Sequence, residues 1–158
     1  MVIRCACEAD IPGILSLLGQ VGEVHHRIRP DIFPANTLKY DADALKNLLQ
    51  EKTRPIFIAE MDGQVAGYCF CIHKIFPESP SSVARTELYI DDLCVDESCR
   101  GQKIAYQLFE HVKVFAREQG CVFISLNVWN GNDGAMKFYE KLGMKPRSIT
   151  MDMALEEN

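Results

Sequence analysis

Asp91-Asp92-Leu93-Cys94-Val95-Asp96-Glu97-Ser98-Cys99-Arg100-Gly101-Gln102-Lys103-Ile104-Ala105 passes from an apolar strand through Arg-Gly directly into an amphipathic stretch. A junction of this kind can hold an anion. From Ile104, the apolar positions Leu108, Val112 and Phe115 recur at helical spacing. The backbone N–H groups of Gly101, Gln102, Lys103, Ile104 and Ala105 are therefore expected in the first turn of a helix, unpaired and at the positive end of its dipole. Phosphate is the ligand such an end suits. Lys103 brings a positive charge beside it, and its stem must point outward to leave room. Taken alone, the same pattern also fits an ordinary strand-to-helix turn.

A second stretch, Leu126-Asn127-Val128-Trp129-Asn130-Gly131-Asn132-Asp133-Gly134-Ala135-Met136-Lys137-Phe138-Tyr139-Glu140-Lys141-Leu142-Gly143-Met144, reads as a strand ending in polar residues followed by a short helix. Asn132 or Asp133 can cap that helix. Ala135, Phe138, Tyr139 and Leu142 form one face, and Gly143 is a C-terminal stop. In this order, the two stretches resemble the motifs of the GCN5-related N-acetyltransferase (GNAT) superfamily. Its acyl-CoA loop carries Arg or Gln, two residues, Gly, one residue, then Gly or Ala. Arg100 and Ala105 match that pattern, whereas its central glycine is Lys103 here. The resemblance is close from roughly Thr86 onward and elsewhere lies only in the order of elements.

The resemblance implies acetyl-CoA as cosubstrate and no metal. The pantetheine arm would pair like an added strand with the backbone of Leu93, Cys94 and Val95. The Leu93 N–H would serve the thioester oxygen, and the segment from Arg100 to Ala105 the pyrophosphate. Asn132 would bond the pantetheine or a bridging water, and Tyr139 would act as general acid for the departing thiolate. Without the flanking motif, Tyr139 reads as a core tyrosine. An acceptor amine with a lysine-like pKa is only about one part in a thousand neutral at pH 7, so a base must take its proton before attack. The run Tyr89-Ile90-Asp91-Asp92-Leu93-Cys94-Val95 resembles small-amine members of the superfamily, in which the first acid acts on the amine directly or through water. That role falls to Asp91, with Asp92 the alternative. Strand side chains alternate, so the two acids share a side only if a bulge intervenes.

The elements that must position these residues follow from the remaining pattern. Residues 2–7 form a short apolar strand, and Asp10 caps a helix carrying Ile11, Ile14, Leu15, Leu18 and Val21 that Gly22 ends. A polar stretch over 23–40 leads to a shorter helix from Asp41 with Leu45, Leu48 and Leu49. Strands at 55–61 and 64–74 are joined by Asp62-Gly63, a hairpin signal. A loop at 77–84 precedes a strand at 86–95, a helix at 101–119, a strand at 122–128, the short helix and a final strand at 148–155. The expected fold class is mixed α/β. With the resemblance, it becomes a single GNAT-like domain over 1–158 whose mostly antiparallel, twisted sheet has six to seven strands. About four helices flank that sheet, and its fourth and fifth strands splay apart.

A chain of 158 residues suits one domain. Its net charge of −5 argues against nucleic acid as the main partner and is compatible with a cationic acceptor. No apolar run approaches the ~20 residues of a membrane helix, so a soluble cytoplasmic protein is expected. Seven cysteines, an odd number scattered through strands, are unlike a secreted disulfide framework. Cys5 with Cys7, and Cys69 with Cys71, share strand faces and read as small hydrophobes before metal ligands. Cys94 and Cys99 have no histidine near them in sequence to activate a thiol. His25-His26 is expected in the loop after the first helix, facing solvent or lining the acceptor pocket. The expected activity is direct transfer of an acetyl group from acetyl-CoA to a small cationic amine in a ternary complex. Transfer to a protein or peptide N-terminus and a non-catalytic acyl-CoA sensor remain as alternatives. A homodimer is compatible with the resemblance.

Overall fold

The structure is a computed structural model that describes residues 1–156. The described chain divides into two compact units, residues 1–127 and the residues from 128 onward.

In the first unit, five strands form one sheet in chain order: β1 (Val2–Cys5), β2 (Ile56–Met61), β3 (Gln64–Phe76), β4 (Arg85–Val95) and β5 (Phe123–Leu126). β1 to β4 pair antiparallel, and β5 joins β4 in parallel. The expected six to seven strands are thus five among the described residues. Residues 148–154 form no strand, although Ile149, Met151, Met153 and Leu155 alternate with polar or small residues. All four apolar side chains are exposed, and alternation specifies a strand only where one face is buried.

Helix α1 (Ile11–Ile28) and α2 (Ala42–Leu48) lie on one face of the sheet. There Ile14, Leu17, Leu18, Leu45 and Leu48 pack with Ile56, Ile58, Tyr68, Phe70 and Cys94 in one core. Side chains alternate along β2, so Phe57 points to the other face. It meets Phe115 of α3 (Ile104–Glu118), with ring centroids 5.1 Å apart. Ile104, Leu108, Val112 and Ala116 line the buried side of α3.

The boundaries of α1 and α3 differ from expectation in ways that bear on chemistry. α1 continues six residues past Gly22, so His25 and His26 stand in its last turn and not in a loop. A side chain at Gly22 would come within 2.9 Å of the Thr37 carbonyl oxygen. The glycine therefore serves close approach of another segment rather than helix termination. α3 begins at Ile104 and not at Gly101. No helix among the described residues is long and apolar enough to cross a membrane.

In the second unit, α4 (Asp133–Lys141) is capped by Asn132, whose side chain accepts from the Ala135 N–H at 3.3 Å. Gly143, at φ +88°, closes it, with the Gly143 N–H donating to the Glu140 carbonyl and the Met144 N–H to that of Tyr139.

Candidate active site

β3 and β4 lose register at one point. Cys71 pairs with Ile90 but Phe70 pairs with Asp92, which leaves Asp91 as the extra residue of a β-bulge. Paired residues share a face, so Asp92, opposite Phe70, and Cys94, opposite Tyr68, look toward α1 and α2. A bulge re-aims the residue it inserts. Asp91 reaches the same side, where its Oδ2 accepts from the Lys39 ammonium at 2.7 Å and lies 3.5 Å from the Tyr40 hydroxyl. Tyr40 is held in turn by stacking on Phe70 at 5.7 Å and by an Arg54 guanidinium donating to its hydroxyl at 3.4 Å.

Asp92 sits deeper. The Tyr68 hydroxyl donates to its Oδ2 at 2.7 Å. Burial pushes the Asp92 carboxyl above the usual range, against the pull of that hydrogen bond and of the positive charges of Lys39 and His25. Burial and the neighbouring Asp92 charge also push the Tyr68 phenol well up. His25 faces this cluster electrostatically. Burial holds its imidazole below the ordinary value, the Asp92 charge opposes that effect and Lys39 adds to it. Burial works against the Lys39 ammonium, but the Asp91 hydrogen bond and charge outweigh it, and its pKa is raised. Asp31 is paired with Arg29 at 2.7 Å, and Glu23 accepts from the Asn36 N–H.

The strand edge beyond the bulge is open on one side. The parallel ladder joins Glu87–Ile90 to Phe123–Leu126 and goes no further. The N–H groups of Cys71 and His73 donate to Pro55 and Thr53, away from β4, so it is the even-numbered residues of β3 that bond to it. Their partners Asp92 and Cys94 turn their backbone groups to β3, as does Asp96, whose N–H donates to Ala66. Leu93 and Val95, between them, turn theirs toward the side that β5 has left.

The strand runs into the anion loop through a short 3-10 turn, Glu97–Cys99. Gln20 of α1 braces that turn from both ends of its amide, donating to Asp96 Oδ2 and accepting from the Glu97 N–H, each at 3.1 Å. Gly101 and Lys103 then adopt left-handed conformations, φ +81° and +61°, before the helix begins at Ile104. The expectation that Lys103 has ordinary helical geometry is therefore corrected. Successive N–H groups in such a turn converge into a concavity for anions, and the first turn of α3 adds its own unpaired donors. Lys103 makes no side-chain cap, and the exposed Arg100 lies 3.6 Å from Glu97. The donor set fits a pyrophosphate.

The structure thus brings Asp91, Asp92, Leu93, Cys94, Val95, Arg100, Gly101, Gln102, Lys103, Ile104 and Ala105 onto one strand, the loop after it and the first turn of α3. Asn132 and Tyr139 belong to the second unit, where Asn132 caps α4 and the Tyr139 ring lies 5.1 Å from Phe138. Cys94 is no nucleophile, since burial pushes its thiol up to about 12 and leaves negligible thiolate at neutral pH. Cys69 and Cys71 sit buried with sulfurs 3.8 Å apart on the α3 side. Lys39, Tyr40, Tyr68 and Gln20 escaped the sequence reading. The only signal for the first two was their place just before the Asp41 cap.

A family model described as "Acetyltransferase (GNAT) family" matches residues 23–144. The probable N-acetyltransferase camello of Xenopus laevis is 35% identical over 95 residues, which are 60% of this chain and 40% of that protein. The chain thus spans well under half the length of that relative. Thialysine N-epsilon-acetyltransferase of Bos taurus is 26% identical over 90% of this chain and 83% of its own. Among solved structures, a point mutant of the BH1408 protein from Bacillus halodurans superposes with a TM-score of 0.94. It is 30% identical, covering 99% of this chain and all of that one.

Proposed function

Because the chain belongs to the acetyltransferase (GNAT) family, we propose that it moves an acetyl group from acetyl-CoA to the primary amine of a small cationic molecule, by direct attack in a ternary complex. The observation that carries this reading is the hold of Asp91 on an ammonium group at 2.7 Å, two residues before the open edge at Leu93. A carboxylate that already grips one amine has the geometry to receive another.

In this reading Asp91 takes the acceptor's proton, and the Leu93 N–H stabilises the charge that develops on the thioester oxygen. Asp92 supports Asp91 as a second carboxylate and is itself held in place by Tyr68. The concavity from Arg100 to Ala105 binds the pyrophosphate of CoA, and Lys103 adds a charge where a glycine would have added only close approach. Asn132 bonds the pantetheine or a bridging water. Tyr139 gives a proton to the departing thiolate, a modest aid because a thiol with pKa near 8.5 already leaves tolerably. A small amine as acceptor is supported by the likeness to the thialysine acetyltransferase.

The test is acceptor-dependent release of CoA from acetyl-CoA, followed by chromatography, with pooled polyamines, aminoglycosides, amino acids and short peptides. Release with one of the small-amine pools is the expected result. Release with peptides alone would move the acceptor class to protein N-termini. Tight acetyl-CoA binding without release from any pool would favour a sensor.

A further inference from the structure

The amine that Asp91 holds belongs to the protein itself. We propose that Lys39 occupies the acceptor's amine subsite as a tethered surrogate and that, when no acceptor is present, its Nζ is acetylated by acetyl-CoA bound to the same chain. The inference rests on the acetyltransferase reading above.

Lys39 Nζ lies 2.7 Å from Asp91 Oδ2, and its ring neighbour Tyr40 stands within 5.6 Å of the ammonium. The Lys39 side chain is 43% exposed, so it can leave the carboxylate, whereas Asp91 is 18% exposed and stays. An external cation must therefore displace Lys39 before Asp91 can bind it. In the absence of one, Lys39 is the primary amine already in contact with the base.

The step balances without a further reactant. Asp91 takes a proton from the Lys39 ammonium, and the neutral amine attacks the thioester carbonyl. A C–N bond forms, the C–S bond breaks, the second proton of the attacking nitrogen leaves with CoA as its thiol, and the proton held by Asp91 passes to solvent. The product amide has no charge, so the Lys39–Asp91 pair cannot re-form. Asp91 is then open to an external ammonium, which makes acetylation of Lys39 an activating event. The ion pair that keeps Lys39 protonated also makes the step slow compared with turnover on a mobile acceptor.

The experiment incubates the purified protein with acetyl-CoA alone at neutral pH and follows intact mass and peptide maps over time. The expected result is one acetyl group at Lys39, lost in Lys39→Arg and at least tenfold slower to appear in Asp91→Asn. A polyamine acceptor should suppress it. Lys39→Gln, which mimics the neutral product, should lower KM for cationic acceptors about fivefold with little change in kcat, as loss of one competing exposed ion pair predicts. Turnover on an external amine with no acetyl group at Lys39 would overturn this inference alone. Equal labelling of Lys39 and exposed lysines such as Lys52, unchanged in Asp91→Asn, would overturn it as well. Failure to bind acetyl-CoA at all would overturn the acetyltransferase reading and this one with it. Melting curves of each variant separate misfolding from loss of chemistry.

Discussion

The Tyr68 hydroxyl donates to Asp92 Oδ2 at 2.7 Å from the middle of β3, where Tyr68 is wholly buried. This bond pulls the Asp92 carboxyl down while burial pushes it up, and burial wins. In Tyr68→Phe the carboxyl loses the donor and should rise further. If Asp92 must be ionised for transfer, the acidic limb of the kcat/KM profile moves to higher pH. A limb that stays in place would remove Asp92 from the ionisations that matter.

The same shift sets a sign for stability. A carboxyl whose folded pKa is raised binds its proton more tightly in the folded state. Folding is therefore favoured at low pH and loses that contribution as pH climbs from the unfolded value, ~3.9, through the raised one. Asp92→Asn should raise the melting temperature at pH 7, and the gain should vanish toward pH 3. Tyr68 can still donate to the new amide oxygen, so the comparison isolates the charge.

Lys103 holds φ +61° without a glycine's freedom. Left-handed geometry costs a residue with a side chain about 1–2 kcal/mol. Lys103→Gly should therefore stabilise the chain by about 1 kcal/mol, or roughly 2–4 °C in melting temperature at this size. Acetyl-CoA affinity, measured by calorimetry, should fall less than about tenfold, because the backbone N–H remains and one charge is lost. A larger fall would make the lysine the main anchor of the pyrophosphate.

Asp91→Asn should reduce turnover by roughly 10²–10⁴, the usual range for a lost general base, while acetyl-CoA affinity stays within a few-fold. Steady-state CoA release and binding calorimetry read the two quantities separately. Equal losses in both would point to a structural role for the bulge.

Tyr139→Phe should slow turnover by about tenfold or somewhat more, within or below the general-acid range, and the effect should grow when a poorer thiol leaving group replaces CoA. Full turnover with an intact fold would take Tyr139 out of the mechanism.

The order of elements up to α4, the hairpin at Asp62-Gly63, the start of a helix at Asp41 and the choice of Asn132 or Asp133 as the cap of α4 were legible because local chemistry decides them. The need for a bulge was legible too, since two adjacent acids on a strand cannot otherwise share a side. Its location at Asp91 was not, because register belongs to the pairing with β3. Gly22 misled because the same residue type serves both helix ends and close packing, and only the Thr37 carbonyl beside it distinguishes the two. Lys39 was invisible for a related reason. Its partner is 52 positions away, and a charged residue in a polar loop carries no sign of where it folds back.

The extra residue in β4 also behaves like a shift of reading frame. Upstream of Asp91, odd-numbered side chains such as Tyr89 face α1 and α2, and downstream the even-numbered Asp92 and Cys94 do. Losing one residue there would restore regular pairing with β3 and leave Cys94 on its face, because the bulge is the surplus residue. What would go is the doubling: in a regular strand only one of two adjacent side chains faces α1 and α2, so a strand one residue shorter would present one carboxylate there and not two.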